Sequence, residues 1–282
     1  MRRRRFRALG AIVADVRRRM ARQDLTLIAA GLTLYAGIAV VPLLLFGLYG
    51  AGLLLGAERV AELVERLASY APDTLGARDT LRALGSVGPR LGIPSLIATL
   101  VTASTYGEGL LRAVDLLEGG HRPRKTLLGR LRVLPYLGVF PLVTLAGLAT
   151  VAVLPDALGG GTGGRVLGVY ATFWVAWLSA AALLTVLYRL FAGHALRWTA
   201  IAWSALATGS FLAGMSMGWL LVLRFDIAIG RAFGGSEQLG RTVLFAVYLL
   251  LVQMAVLVGY LLAQAIDQQR RGHAGDRGDP PP

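Results

Sequence analysis

Six long apolar stretches constrain the fold of this chain more than any other feature. A helix needs about 20 predominantly apolar residues to cross the ~30 Å hydrocarbon core of a bilayer. The stretches cover residues 25–56, 91–118, 133–154, 166–190, 198–223 and 242–266. Charged residues make up only 16% of the chain, whereas a soluble domain carries about 25%. The sequence therefore predicts an all-α fold, a polytopic membrane bundle of six transmembrane helices.

The basic residues of the connecting segments predict the orientation of this bundle. Cytoplasmic segments of membrane proteins are enriched in Lys and Arg. With the N-terminus inside, the predicted inner segments carry nineteen basic residues and the outer segments nine. Both termini are therefore expected in the cytoplasm, and the anionic headgroups of membrane lipids are the expected partners of the basic cytoplasmic loops.

Three segments outside the spans have patterns of their own. Residues 1–24 are basic, with apolar residues on one helical face, which predicts an interfacial helix on the cytoplasmic leaflet. A nucleic-acid-binding arm is the less favoured interpretation, because basic residues before a first span are ordinary topology signals. Residues 57–90 predict an amphipathic helical segment on the outer face, and residues 269–282 a disordered cytoplasmic tail. Residues 25–268 form the predicted membrane domain.

The residues that support enzyme chemistry are sparse. The chain has no cysteine, which excludes thiol chemistry and Cys-based metal sites. Its three histidines, His121, His194 and His273, have no second histidine or carboxylate at metal-ligand spacing. HExxH, GxSxG and Walker motifs do not occur in the sequence. We therefore expect no enzymatic activity, no metal and no cofactor.

Four polar residues within the spans are the candidate site. Glu108, Arg112 and Asp115 lie in the second half of the second span, and Gln253 lies in the middle of the sixth. A charged side chain at the centre of a bilayer costs about 3 kcal/mol or more, so it usually faces protein or water. An intramembrane Gln usually hydrogen-bonds to a neighbouring helix, and a substrate contact is the alternative for Gln253.

Two interpretations of Glu108 remain open. Glu108 and Arg112 are four residues apart with Glu first, the favourable order for an ion pair on one helix. The pair can therefore be self-neutralising, with the Arg112 side chain extended toward the cytoplasmic headgroups. Alternatively, Glu108 lines a polar cavity and takes part in proton or substrate movement. Asp115 lies near the basic loop that follows and is expected to balance its charge.

Several short motifs resemble a known family. The first span reads LTLIAAGLTLYAGIAVVPLLL, the fourth ends in LYRLF, and a Phe-Gly pair precedes the sixth. In order and spacing, these segments resemble the YihY / virulence factor BrkB family of bacterial inner-membrane proteins. The residues that match the family pattern are Tyr35, Pro42, Tyr188, Arg189, Phe233 and Gly234. Other marker residues are replaced, which indicates a divergent member.

The resemblance implies a location and a layout but no mechanism. It implies a multi-pass protein of the bacterial plasma (inner) membrane, with six helices and both ends inside. Some family members carry a ribonuclease label, for which this sequence supplies no catalytic site. The expected function is a transporter or lipid-handling protein with a polar site near Glu108, acting on a small-molecule or lipid substrate. The alternative is a non-transporting membrane scaffold that binds partners through its basic cytoplasmic face.

Overall fold

The computed structural model is helical in every regular segment that it describes. It describes residues 2–70, 76–120, 143, 161–192, 196–222 and 229–275, and no β-strand occurs among them. The α-helices are α1 (Arg2–Arg22), α2 (Leu25–Leu55), α3 (Ala57–Tyr70), α4 (Ala77–Val87), α5 (Ile93–Leu117), α6 (Thr162–Phe191), α7 (Trp198–Val222) and α8 (Glu237–Gly275). Short 3₁₀ turns at Gly88–Arg90 and Ile229–Phe233 precede α5 and α8.

Four helices within the described ranges are long and apolar enough to cross a membrane. They are Leu25–Leu55, Val166–Phe191, Trp198–Trp219 and Glu237–Arg271. The number rises to five if Arg78–Arg90 and Ile93–Leu117, which meet at a bend of 120°, form one broken span. The predicted third span, residues 133–154, and the basic residues of the preceding loop lie outside the described residues, apart from Val143.

Helix α2 lies between α5 and α8 in the described bundle. It packs against α5 and α8, while α6 packs on α7 and α7 on α8. Its start is fixed by Asp24, whose side chain accepts a hydrogen bond from the Leu27 backbone N–H at 3.2 Å, and Gly56 ends it with a φ of +86°. The helix continues through Pro42. Buried alanines along α2, among them Ala29 and Ala39, let its neighbours approach closely.

The tail that was predicted to be disordered from residue 269 begins as helix instead, so the prediction of disorder was wrong for residues 269–275. Helix α8 runs to Gly275. Asp267 accepts a hydrogen bond from Arg271 Nε at 2.7 Å, and Arg270 donates to the Thr199 hydroxyl at 2.8 Å. These polar contacts stabilise the last turns of α8 and hold them against the start of α7. A hydrophobicity pattern does not indicate such contacts. Residues 276–282 lie outside the described part of the chain.

Several segments predicted to be cytoplasmic meet at one end of the bundle. Arg19 of α1 donates to Gln264 of α8 at 3.2 Å, and Gln23 donates to the Leu117 carbonyl of α5 at 2.9 Å. The Asp267 carboxylate also accepts from the Arg197 backbone N–H at 3.2 Å. We call this end, formed by α1, the last turn of α5 and residues 196–199 and 264–271, the inner end, after the predicted orientation of these segments. The first and last of the described helices lie side by side there.

The predicted amphipathic segment 57–90 is helical, as α3 and α4. The two helices pack against each other, and Val64 of α3 faces Gly85 of α4, where an added Cβ would lie 2.6 Å from Val64 Cγ1. Arg82 of α4 donates two hydrogen bonds to Glu65 of α3, from Nη2 to Oε1 at 2.6 Å and from Nε to Oε2 at 2.9 Å. This bidentate pair links the two helices across their exposed side.

The Glu65–Arg82 pair should make the contact between α3 and α4 sensitive to acid. The Arg82 hydrogen bonds hold the pKa of Glu65 below its ordinary value of 4.5. Because the pKa of Glu65 is lowered in the folded protein, the pair stabilises the contact between α3 and α4 at a pH above the ordinary value. This stabilisation is lost as the pH falls through the lowered pKa of Glu65. We expect amide hydrogen exchange in α3 and α4, corrected for its intrinsic rate, to accelerate in acid for the wild type. Glu65→Gln should abolish this pH dependence, whereas Glu62→Gln, whose partner Arg66 lies on the same helix, should leave it unchanged.

Candidate functional site

An ion pair within α5 forms the centre of the candidate site. Glu108 Oε1 accepts a hydrogen bond from Arg112 Nη2 across one helical turn, as their spacing predicts. The Glu108 side chain is 10% exposed, whereas that of Arg112 is 52% exposed. The pair therefore joins a buried carboxylate to a guanidinium that remains open on one side.

Tyr35 of α2 completes this cluster. Its hydroxyl accepts a hydrogen bond from Arg112 Nη1 at 3.0 Å. The Tyr35 ring lies directly over Gly109, where an added Cβ would be 2.6 Å from the ring carbons. The family pattern marked Tyr35 as a structural residue, but no sequence motif indicates that it contacts Arg112. We call Tyr35, Glu108 and Arg112 the arginine cluster.

Gln253 does not belong to the arginine cluster. Its Oε1 accepts a hydrogen bond from the Tyr106 hydroxyl at 3.1 Å, and both side chains are buried between α5 and α8. Gln253 therefore hydrogen-bonds to a neighbouring helix, as intramembrane glutamines usually do. No sequence motif marks Tyr106, which is separated from Gln253 by 147 positions.

Asp115 also lies apart from the arginine cluster. Its Oδ1 is buried and has no hydrogen-bond partner among the residues that the structure describes. The basic loop residues that Asp115 was expected to meet lie outside the described residues. One turn further on, Glu118 Oε1 accepts a hydrogen bond from the Tyr260 hydroxyl at 2.6 Å. Of the four predicted polar residues, only Glu108 and Arg112 therefore contact each other.

The other residues of the family pattern stabilise helix contacts and turns. The Tyr188 hydroxyl of α6 donates to the Val256 carbonyl of α8 at 3.0 Å, and the Arg189 guanidinium lies 4.9 Å from the ring centroid of Trp198. Phe233 ends the 3₁₀ turn before α8, and Gly234 follows with a φ of +62°, which favours glycine. Their positions account for the pattern without a catalytic role.

The described residues line a polar cavity and a nearly apolar groove. A polar cavity of ≈ 400 Å³ at the inner end lies between α1 and the end of α5. A nearly apolar groove of ≈ 390 Å³ runs between α7 and α8, past Phe211 and Met254. Neither is lined by Glu108 or Arg112. Within the described ranges, no three His, Asp or Glu side chains come together as metal ligands.

The chemistry of the arginine cluster is that of anion recognition. A guanidinium has five N–H donors in a planar fork that matches carboxylate and phosphate oxygens. Glu108 and Tyr35 fix the plane of the Arg112 group from two sides, and its exposed part retains donors that can face a ligand. Nothing in this cluster resembles a nucleophile with an adjacent base, which acyl or phosphoryl hydrolysis would need.

Comparison with known proteins identifies the family of this chain. Neither the curated proteins nor the solved structures contain a significant match to it. The sequence model described as virulence factor BrkB matches residues 16–282, which is nearly the whole chain. This match confirms the resemblance of the first, fourth and sixth spans and agrees with the apolar helices of the bundle. The chain belongs to the virulence factor BrkB family of membrane proteins.

Proposed function

We propose that this chain is a transporter or lipid-handling protein of the bacterial plasma membrane, with the arginine cluster as its polar site. The observation that carries the proposal is the state of Arg112. Its guanidinium is held by a buried carboxylate and a tyrosine hydroxyl, yet half of the side-chain surface stays open. A site that binds an anion requires such an opening, because the guanidinium must keep N–H donors for the ligand.

A lipid phosphate is the ligand that the position of Arg112 favours. Arg112 lies five residues before the end of α5 at Leu117, or about 7.5 Å along the helix axis. Its guanidinium is turned back toward Glu108, so a phosphate that binds it would enter below the headgroup layer. Its hydrogen bond to Tyr35 at 3.0 Å links the site to α2. Ligand binding at Arg112 would therefore be coupled to the contact between α2 and α5.

Movement of lipid in reconstituted vesicles tests the proposal. Purified protein should carry fluorescent phospholipid between leaflets, measured as the fraction protected from a membrane-impermeant quencher. Glu108→Gln and Arg112→Lys should each slow this movement about tenfold, because a charge-assisted hydrogen bond contributes about 1.5 kcal/mol or more. The matched control is Arg66→Lys, since Arg66 forms the same type of pair with Glu62 outside the spans. Rates are compared only for variants whose elution in size-exclusion chromatography and thermal unfolding match those of the wild type.

The same assay separates the alternative function. A non-transporting scaffold that binds partners through its basic inner face would move no lipid, and neither would its variants. The exposed Arg17 and Arg18 of α1 favour the scaffold function, since they present positive charge at the inner end. Lipid movement at equal rates in the wild type and in both arginine-cluster variants would instead contradict the role of Arg112.

A further inference from the structure

The polar cavity at the inner end has walls of opposite charge. On the α1 side it is lined by Asp15, Arg18 and Arg19, and Asp15 accepts hydrogen bonds from both arginines. One carboxylate facing two guanidiniums leaves this wall with a net positive charge. Arg19 is further committed to Gln264 at 3.2 Å, whereas the Arg18 side chain is 69% exposed. Arg18 is therefore the cation on this wall with the most open surface.

The opposite wall is negative. It is formed by the last turn of α5 and contains Leu117, Glu118 and Gly119. A helix C-terminus carries a partial negative charge, and here it lies beside the Glu118 carboxylate, whose Oε1 also accepts a hydrogen bond from the Tyr260 hydroxyl. Gln23, which also lines the cavity, donates its amide to the Leu117 carbonyl. The Oε1 of Gln23 is buried and has no hydrogen-bond partner among the described residues, so it is a free acceptor beside the Glu118 carboxylate.

The cavity lies at the level of the lipid headgroups. Gln23 comes two residues before the start of α2, Leu117 is the last residue of α5, and Gln264 lies near the end of the apolar part of α8. All three positions mark the change from apolar helix to charged sequence, which in a bilayer occurs at the interface. A cavity at this depth faces the headgroups of one leaflet.

We infer that this cavity binds the zwitterionic phosphoethanolamine group of a phospholipid. The phosphate would lie toward Arg18 and the ammonium toward Glu118 and the end of α5. The lining carries two carboxylates and two guanidiniums, a balance that suits a ligand with one charge of each sign rather than a net anion. An ammonium supplies three hydrogen-bond donors, which the negative wall can accept. The inference concerns a cavity separate from the arginine cluster and holds whether or not the protein moves lipid.

Native mass spectrometry of the purified full chain tests this inference. The protein is released from micelles that contain equal amounts of phosphatidylethanolamine and phosphatidylcholine with identical acyl chains. Choline has the same charge as ethanolamine but no N–H donor, so the two lipids differ mainly at the proposed ammonium contact. Wild-type protein should retain phosphatidylethanolamine about tenfold over phosphatidylcholine, which is the fold-change expected for one charge-assisted hydrogen bond.

Arg18→Gln and Arg17→Gln form the matched pair of variants. Both remove one charge from the exposed side of α1, but only Arg18 lines the cavity. Arg18→Gln should lower retention of phosphatidylethanolamine severalfold, and Arg17→Gln should leave it unchanged. Soluble phosphoethanolamine is then added as a competitor. If it displaces the lipid, the cavity binds the headgroup without acyl chains; if it does not, the cavity binds the intact lipid only. Equal retention of the two lipids, or equal loss in the two variants, would overturn the inference.

Discussion

Gly259→Ala is expected to be the most destabilising conservative substitution in the described bundle. A Cβ at this position would lie 2.1 Å from the Tyr188 hydroxyl and 2.3 Å from Thr208 Oγ1. Neither neighbour can retreat easily, because Tyr188 is 2% exposed and donates to the Val256 carbonyl of α8. Overpacking costs about 1–3 kcal/mol, and a broken buried hydrogen bond costs about as much again.

Thermal unfolding in detergent measures this effect, with controls that the chain itself supplies. Gly214 and Gly218 of α7 have no atom within 4 Å of an added Cβ, so their replacement by Ala should not destabilise the bundle. Tyr188→Phe removes the closest clashing atom. The double variant Gly259→Ala, Tyr188→Phe should therefore be more stable than the sum of the two single changes. A Gly259→Ala protein that melts like Gly214→Ala would show that α6 and α8 do not approach as described.

Arg112→Met should be the second most damaging change. It leaves the Glu108 carboxylate, whose side chain is 10% exposed, without its guanidinium inside the bundle. Removing one partner of a buried ion pair costs about 3–5 kcal/mol because the remaining charge stays desolvated. The matched control is Arg66→Met, which breaks a pair of the same spacing whose side chains are 48% and 62% exposed. An exposed pair contributes about 1 kcal/mol at most.

A double-variant cycle separates the charge pair from the packing of the arginine stem. Adding Glu108→Gln to the Arg112→Met variant removes the Glu108 charge that Arg112 no longer balances. The combined variant should recover part of the loss, so the two changes should be less than additive. Unfolding of the four proteins in the same detergent gives the coupling energy. If Arg112→Met lowers the free energy of unfolding by no more than Arg66→Met does, Arg112 is not needed to stabilise the Glu108 carboxylate in its charged form.

Features that depend on neighbouring residues in the chain, such as helix bounds and ion pairs on one helix, could be predicted from the sequence. The helices α2, α5 and α7 begin and end within two residues of the predicted spans, because an apolar block of bilayer length marks its own limits. The pairing of Glu108 with Arg112 followed in the same way from a four-residue spacing on one helix.

Contacts between distant segments could not be predicted from the sequence. Tyr35 and Arg112 are 77 positions apart, and the register of α2 against α5 decides whether they meet. Gly259 is one of 36 glycines, and only the position of Tyr188 distinguishes it from those that face open space. The extension of α8 to Gly275 depends on polar contacts such as that between Arg270 and Thr199, which a hydrophobicity pattern does not contain.

The contact between α1 and α8 has a consequence for biosynthesis. Arg19 and Gln264 are separated by 245 positions, so the ribosome makes α1 long before its binding site on α8 exists. Chains fold from the N-terminus as they emerge. The contact between α1 and α8 can therefore form only after α8 has been made, so it is among the last contacts of the described bundle to form. Until then α1 lacks this partner, and a basic amphipathic helix is suited to binding a membrane surface in the meantime.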